Sequence, residues 1–259
     1  MGWAIRTGLY CAHITHSQRR IWTERLFHFS YYPELNMNAT ESCDKMGVNS
    51  KIKDVYTPGR TKEEVIDSYN NWADTYEHDL NPDKFRGPVL AANECCAVIP
   101  EKNRMSALVL DLAAGTGFLG KELHQKGFKN LHALDPSTEM LEKARARNVY
   151  QKFIIKFISE EEELPVNADT YDIVVSSGGM GQGHIPAGAL LEMLRITRKG
   201  GYIIWSMREE YLRDPQYDGI LEALIDNMEE SGKWSKIKKR VIPNYYEEKE
   251  GAVFVFKKI

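Results

Sequence analysis

Asp111 and Asp135 bracket a glycine-rich turn, Gly115-Thr116-Gly117-Phe118-Leu119-Gly120, and His184 closes a second one that holds Gly178, Gly179, Gly181 and Gly183. An apolar run, Leu108–Leu112, enters the first turn, and an amphipathic segment leaves it. Glycines at such a turn let the backbone approach a ligand closely. In open α/β sheets ligands bind outside the carboxyl ends of the strands, where this turn lies. The spacing Gly115-x-Gly117-x-x-Gly120, with Asp135 coming 20 residues after Gly115, matches a dinucleotide fingerprint. Two features argue against a dinucleotide. Three residues separate Asp111 from Gly115, so the strand does not run straight into the first glycine. Asp111 also puts a carboxylate at the strand end, where a pyrophosphate needs neutral or positive surroundings. A cationic ligand suits that carboxylate. His184 is the one strong base candidate in the second turn, because an imidazole titrates near neutrality. It can equally hydrogen-bond loop backbone.

These residues need a scaffold, and the pattern supplies one. Short apolar runs at Ala107–Leu112, Leu131–Leu134, Phe153–Ile158, Ile173–Val175 and Tyr202–Ser206 predict strands. The amphipathic segments Phe118–Lys126, Thr138–Arg147 and Ala187–Arg198 predict the helices between them. Alternation of β and α implies a parallel sheet covered on both faces. After a helix around Tyr217–Glu230, Lys236–Tyr246 and Ala252–Lys257 follow with no helix between, which predicts an antiparallel pair ending the sheet. Upstream, Thr61-Lys62-Glu63-Glu64 reads as a capping box, and Val65, Tyr69, Trp72 and Tyr76 share one face of the helix it opens. An aromatic stripe of this kind either packs as core or covers a ligand.

The motifs, taken in order, resemble those of class I S-adenosylmethionine-dependent methyltransferases over roughly Tyr69–Ile259. Asp111-Leu-Ala113-Ala-Gly115-Thr-Gly117 is similar to their first motif, and Ala133-Leu-Asp135-Pro-Ser-Thr-Glu-Met140 to their second. Glu160–Pro165 resembles the acidic-Leu-Pro loop, Tyr171–Ser176 the fourth strand, and Arg198-Lys-Gly-Gly201 the turn into the fifth. Tyr69–Tyr76 resembles the N-terminal helix of small-molecule members, and Gly183-His184-Ile185-Pro186 narrows the likeness to a methyltransferase-like subgroup.

The resemblance implies a seven-stranded Rossmann-like methyltransferase sheet, mostly parallel with an antiparallel C-terminal strand, and S-adenosylmethionine as cofactor. It implies that Ala113, Gly115 and Gly117 back the amino-acid part of the cofactor, with Asp111 near its ammonium. Asp135 would accept both ribose hydroxyls, a diol suiting an acceptor-only carboxylate. Met140 would pack on adenine and Glu160 or Glu161 would receive its amino group. Ser176 would border the methyl group, and Tyr69, Trp72 and Tyr76 would close over the whole. His184 is the candidate for proton transfer. The reaction expected is methyl transfer to an O, N or S atom of a small molecule. The alternatives are a cofactor-binding partner or sensor with little catalysis and, further off, an NAD enzyme.

Composition bounds the partners. The chain has 259 residues and a formal net charge of −3, so it presents no general basic footprint for nucleic acid. The basic run Lys233–Arg240 is followed by Glu247–Glu250, which fits a protected sheet edge better than an RNA surface. No run approaches the roughly 18 apolar residues of a spanning helix. Cys11, Cys43, Cys95 and Cys96 show no Cys-x-x-Cys spacing, which predicts free thiols in a reducing compartment and no zinc site. Carbon-5 pyrimidine methylation needs a cysteine nucleophile, and none follows Cys96; nor does an Asn/Asp-Pro-Pro-aromatic motif follow the fourth strand. Residues 1–56 read as a poorly ordered extension, with the methyltransferase domain over 57–259. Met37 and Met46 are possible later starts. The first 30 residues hold four arginines and one acid, so cytoplasmic location has a mitochondrial transit peptide as its alternative. A monomer is expected.

Overall fold

The computed structural model describes residues 50–81 and 83–259. A seven-stranded sheet runs in the order β3-β2-β1-β4-β5-β7-β6. Its strands are β1 (Leu108–Leu112), β2 (Asn130–Asp135), β3 (Lys152–Ile155), β4 (Tyr171–Ser177), β5 (Thr197–Arg208), β6 (Trp234–Tyr246) and β7 (Lys249–Lys258). β1 to β5 pair in parallel, and β7 alone runs against its neighbours, inserted between β5 and β6. The expected C-terminal pair is therefore present, with its last strand inside the sheet rather than at the edge.

Nine α-helices accompany the sheet among the described residues: α1 (50–55), α2 (Lys62–Trp72), α3 (Tyr76–Asp79), α4 (Gly87–Val98), α5 (Glu101–Arg104), α6 (Phe118–Gln125), α7 (Thr138–Ala146), α8 (Ala189–Ile196) and α9 (Ile220–Glu230). Strand residues alternate between two apolar layers. Val109, Ala133, Ile173 and Val255 face α4, α6 and α7, while Leu110, Leu134, Val174 and Phe256 face α8 and α9. Burial on both faces is what a parallel β/α sheet demands, and each large side chain so buried contributes roughly 1.5–3 kcal/mol.

Three expectations change, and one helix is new. Strand β3 ends at Ile155, so Lys156–Ile158 run as loop toward the sheet's carboxyl end. Helix α8 spans Ala189–Ile196, and Thr197–Lys199 already belong to β5. Helix α4 had no periodic signal, because apolar residues surround it; it buries Leu90, Ala91 and Cys95 on one side and Glu94 on another, where Lys238 and Arg240 of β6 pair with the carboxylate. The boundary at residue 57 is too late, since Val55 and Tyr56 already pack into the core. Residues 1–49, with the two candidate starts, Cys11, Cys43 and the arginine-rich segment, lie outside the described residues.

Candidate cofactor and acceptor site

The turn after β1 owes its shape to backbone signs that few side chains tolerate. Ala113, Gly115 and Gly117 all have positive φ, and a Cβ built on Gly115 meets nothing within 4 Å, so that glycine faces open cleft. Ala113 and Gly115 line one side, Asp135 and Met140 another, and Tyr69 and Tyr76 come over from the N-terminal helices.

Asp135 ends β2 and is 8% exposed. Its Oδ2 accepts from the Gly115 amide at 2.8 Å and its Oδ1 from the Ser137 amide at 2.9 Å. Each oxygen keeps a further lone pair, so the carboxylate can still accept from a diol. Burial pushes it up to about 6, against the pull of those two amides. Asp111, 1% exposed, stands in a neighbouring pocket with Gly115 and Thr116. Tyr150 donates to it at 2.6 Å, yet burial, with the charge of Asp135, holds it up to about 7. Two acids raised by burial toward neutral pH are poised for a cation, which would favour their ionised forms. The slot between Leu134, Met140, Phe157 and Ile158 is apolar and suits a flat heterocycle. Carboxylate acceptors, an apolar slot and an open glycine together fit an adenosine-bearing sulfonium.

The covering helices are fastened to this side of the sheet. Thr61 caps α2 reciprocally with Glu64, and Ser137, which caps α7, donates through Oγ to Asn70 of α2 at 2.6 Å. Lys143–Asp74 at 2.6 Å and Arg147–Glu77 at 2.5 Å continue the seam.

His184 lines the cleft. Its Nδ1 lies 2.8 Å from the Gln182 carbonyl, which can only accept, so Nδ1 carries the proton. Nε2 is then the acceptor, and Tyr69 donates its O–H to it at 2.8 Å. The Tyr56 ring stacks on the imidazole at 4.4 Å. Burial drives the imidazole down to about 4, so it is neutral, and also raises Tyr69 well above the usual phenol range.

A second cavity lies across Tyr69, Tyr76, Ser177 and Gly178, which line both. Its far wall is aromatic and includes Tyr56, Phe85 and Tyr245, with Arg208 among them.

Several expected residues stand elsewhere. Trp72 lines the second cavity rather than the cofactor cleft, its indole donating to Asp79 at 2.7 Å. Gly117 opens α6 as its left-handed cap and does not line the cleft. Glu160 folds against Gly188, and Glu161 faces solvent and pairs with Lys62 at 3.7 Å, so neither reaches the slot. Ser176 is buried with an unpartnered Oγ, while its neighbour Ser177 lines the cavities; alternation along β4 puts successive residues on opposite faces. Ser177, Tyr56 and Arg208 were missed. The signal for Ser177 was the pleat of β4; for Tyr56 and Arg208 the sequence carries none, because their partners are remote in the chain. Among the described residues no cluster of three or more His, Cys, Asp or Glu could hold a metal, and no helix is long and apolar enough to cross a membrane.

An open sheet with β7 reversed, a glycine turn after β1 and a carboxylate ending β2 define a class, and residues 109–201 match a methyltransferase domain family. Residues 109–201 thus carry a methyltransferase domain, and the fold is one that methyltransferases of known structure share. The chain is 36% identical over 166 residues to human methyltransferase-like protein 27, covering 64% of this chain and 66% of that one. It is 30% identical over 142 residues to the chloroplastic 2-methyl-6-phytyl-1,4-hydroquinone methyltransferase 2 of Oryza sativa subsp. japonica, covering 54% of this chain but 39% of that one. The chain thus matches under two thirds of the length of either relative. Two solved structures share the fold: a chain of the complex between the Haloferax volcanii Trm112 methyltransferase activator and a methyltransferase (TM-score 0.54, 18% identity, 73% and 97% covered), and Burkholderia thailandensis 1,6-didemethyltoxoflavin-N1-methyltransferase with bound S-adenosylhomocysteine (0.53, 17%, 76% and 86%).

Proposed function

We propose that the chain transfers a methyl group to an O, N or S atom of a small molecule held in the second cavity. The observation that carries this reading is the shared wall: Tyr69, Tyr76, Ser177 and Gly178 border both cavities, so a donor and an acceptor can meet there shielded from water. When bound, S-adenosylmethionine supplies an electrophilic methyl. The chain aligns the partners, and alignment in a dry site is worth roughly 7–11 kcal/mol of barrier. Asp135 would hold the ribose hydroxyls, the Gly115 turn and Asp111 the charged amino-acid end, and Met140 the adenine. An acceptor proton can pass to the Tyr69 oxygen while Tyr69 gives its own proton to Nε2 of His184, so His184 acts through Tyr69.

A dinucleotide is disfavoured because a pyrophosphate beside Gly115 would meet the buried carboxylates Asp111 and Asp135. The occupied nitrogens of His184 favour a second reading, a cofactor-binding partner or sensor with little turnover. Calorimetric titration with S-adenosylmethionine, S-adenosylhomocysteine and NAD in parallel tests the binding half. Binding of the first two and not NAD is expected, and binding of NAD alone overturns the reading. Mass-spectrometric detection of methylated product over an acceptor panel tests the chemistry; tight cofactor binding with no product across a broad panel favours the sensor.

A further inference from the structure

The second cavity has a composition that narrows its occupant. Its walls are mostly phenol and phenyl rings drawn from three separated stretches of chain. Tyr56 tilts against Tyr211 at 4.9 Å, and Phe85 meets Tyr245 edge-on at 5.6 Å. The Arg86 amide donates to the Tyr245 carbonyl at 2.9 Å and Phe85 bridges Tyr246, which fixes the segment before α4 against the β6–β7 turn.

Arg208, at the end of β5, is the only cation lining this cavity among the described residues. Its side chain is 18% exposed. The guanidinium lies 4.6 Å from the Tyr246 ring centre and 5.5 Å from that of Tyr211. Its one charged partner among the described residues is Glu210 at 3.6 Å, beyond hydrogen-bond length, with a carboxylate 38% exposed. A guanidinium carries five N–H donors in a planar fork. Here none has a protein acceptor at hydrogen-bond distance among the described residues, and the side chain borders a cavity.

An aromatic cage by itself would suit an ammonium ligand. In this one Arg208 already occupies the faces of Tyr211 and Tyr246, and its charge repels a second cation. A single half-buried cation balances a single negative charge, which favours a carboxylate over a doubly charged phosphate; the fork matches a carboxylate with two parallel hydrogen bonds. The remaining ring faces suit a flat apolar body.

We infer that the acceptor is an aromatic monocarboxylate, its ring between the tyrosines and its carboxylate on Arg208. The inference rests on the methyl-transfer reading only in taking this cavity for the acceptor's. The test uses three probes on one ring: 4-hydroxybenzoate, 4-hydroxybenzyl alcohol and 4-hydroxybenzylamine. Each is titrated by ligand-observed NMR into the full chain, with and without S-adenosylhomocysteine, whose own binding is measured by calorimetry. The acid is expected to bind at least about tenfold more tightly than the alcohol, roughly 1.4 kcal/mol, and the amine most weakly. R208Q should erase the preference while binding S-adenosylhomocysteine as the native chain does. R208K should keep the sign of the preference at lower affinity, because an ammonium cannot engage both oxygens. Equal binding of acid and alcohol to the native chain, tightest binding of the amine, or an acid preference surviving in R208Q overturns the inference. Loss of S-adenosylhomocysteine binding by the native chain would overturn the methyl-transfer reading instead, leaving the acid preference to be judged on its own.

Discussion

Asp135 does two jobs with one carboxylate. It holds the Gly115 and Ser137 amides, which shape the turn, and keeps lone pairs for a ligand. Asp135→Asn replaces one acceptor oxygen by a donor. It should weaken S-adenosylhomocysteine binding by about tenfold or more, since hydrogen bonds to a charged group are worth roughly 1.5–3 kcal/mol each. Calorimetry at pH 8 checks this, and unchanged affinity would remove Asp135 from the site. His184 makes a different prediction. With the imidazole at about 4, the acidic limb of kcat should fall near that pH rather than near 6.5, activity being lost as Nε2 gains a proton. His184→Ala should lower kcat with cofactor affinity little changed; full activity would dismiss the relay through Tyr69. At this scale the sequence was legible where backbone sign and charge force a residue type, as at Gly115, Asp111 and Asp135. It was not legible where one step along the chain decides the outcome. Ser176 and Ser177 differ only by the pleat, and a run of four glutamates offers no way to pick a register, so Glu160 and Glu161 were assigned to a slot they do not reach.

The elements around the site are held by a few contacts that can be cut singly. Thr61 accepts from the Glu64 amide at 3.2 Å, and Glu64 accepts from the Thr61 amide at 2.8 Å. Thr61→Ala should cost about 1 kcal/mol, localised to α2. Hydrogen exchange over Lys62–Trp72 should speed up, with weaker cofactor binding and little change in the sheet. Gly120 has the opposite sensitivity. A Cβ there would lie 2.1 Å from the Tyr150 hydroxyl, which itself holds Asp111. Gly120→Ala should therefore destabilise the fold by roughly 1–3 kcal/mol, read as a lowered melting temperature. The third glycine of the fingerprint thus admits a tyrosine rather than a phosphate. Elements with a period, such as α2 and α6, were visible in the sequence. Helix α4 was not, because apolar residues surround it and its one buried acid is paired by β6, more than a hundred residues away.

The whole molecule stores a pH dependence in two buried acids. Asp111 and Asp135 stand at about 7 and about 6, above the ordinary 3.8. Between roughly pH 4 and 7 the folded chain therefore binds more protons than the unfolded one, so stability from these groups is present at the acidic end and is lost as pH rises. The ligand-free chain should melt at a higher temperature at pH 5 than at pH 8. A cationic ligand favours the ionised acids, so binding near pH 6.5 should release protons, seen as a heat that varies with the buffer's ionisation enthalpy. A heat independent of buffer would mean that neither acid meets the cation. The parallel sense of the first five strands was legible from β/α alternation, whereas the second cavity was not, since its rings come together only when the ends of the fold do. That origin has an evolutionary consequence. The domain match ends at residue 201, yet Tyr56, Phe85, Arg208, Tyr211 and Tyr245 all lie outside it. On the proposed reading, the half that grips the cofactor can be inherited unchanged while the half that chooses the acceptor drifts, so divergence among relatives should concentrate at the two ends of the chain.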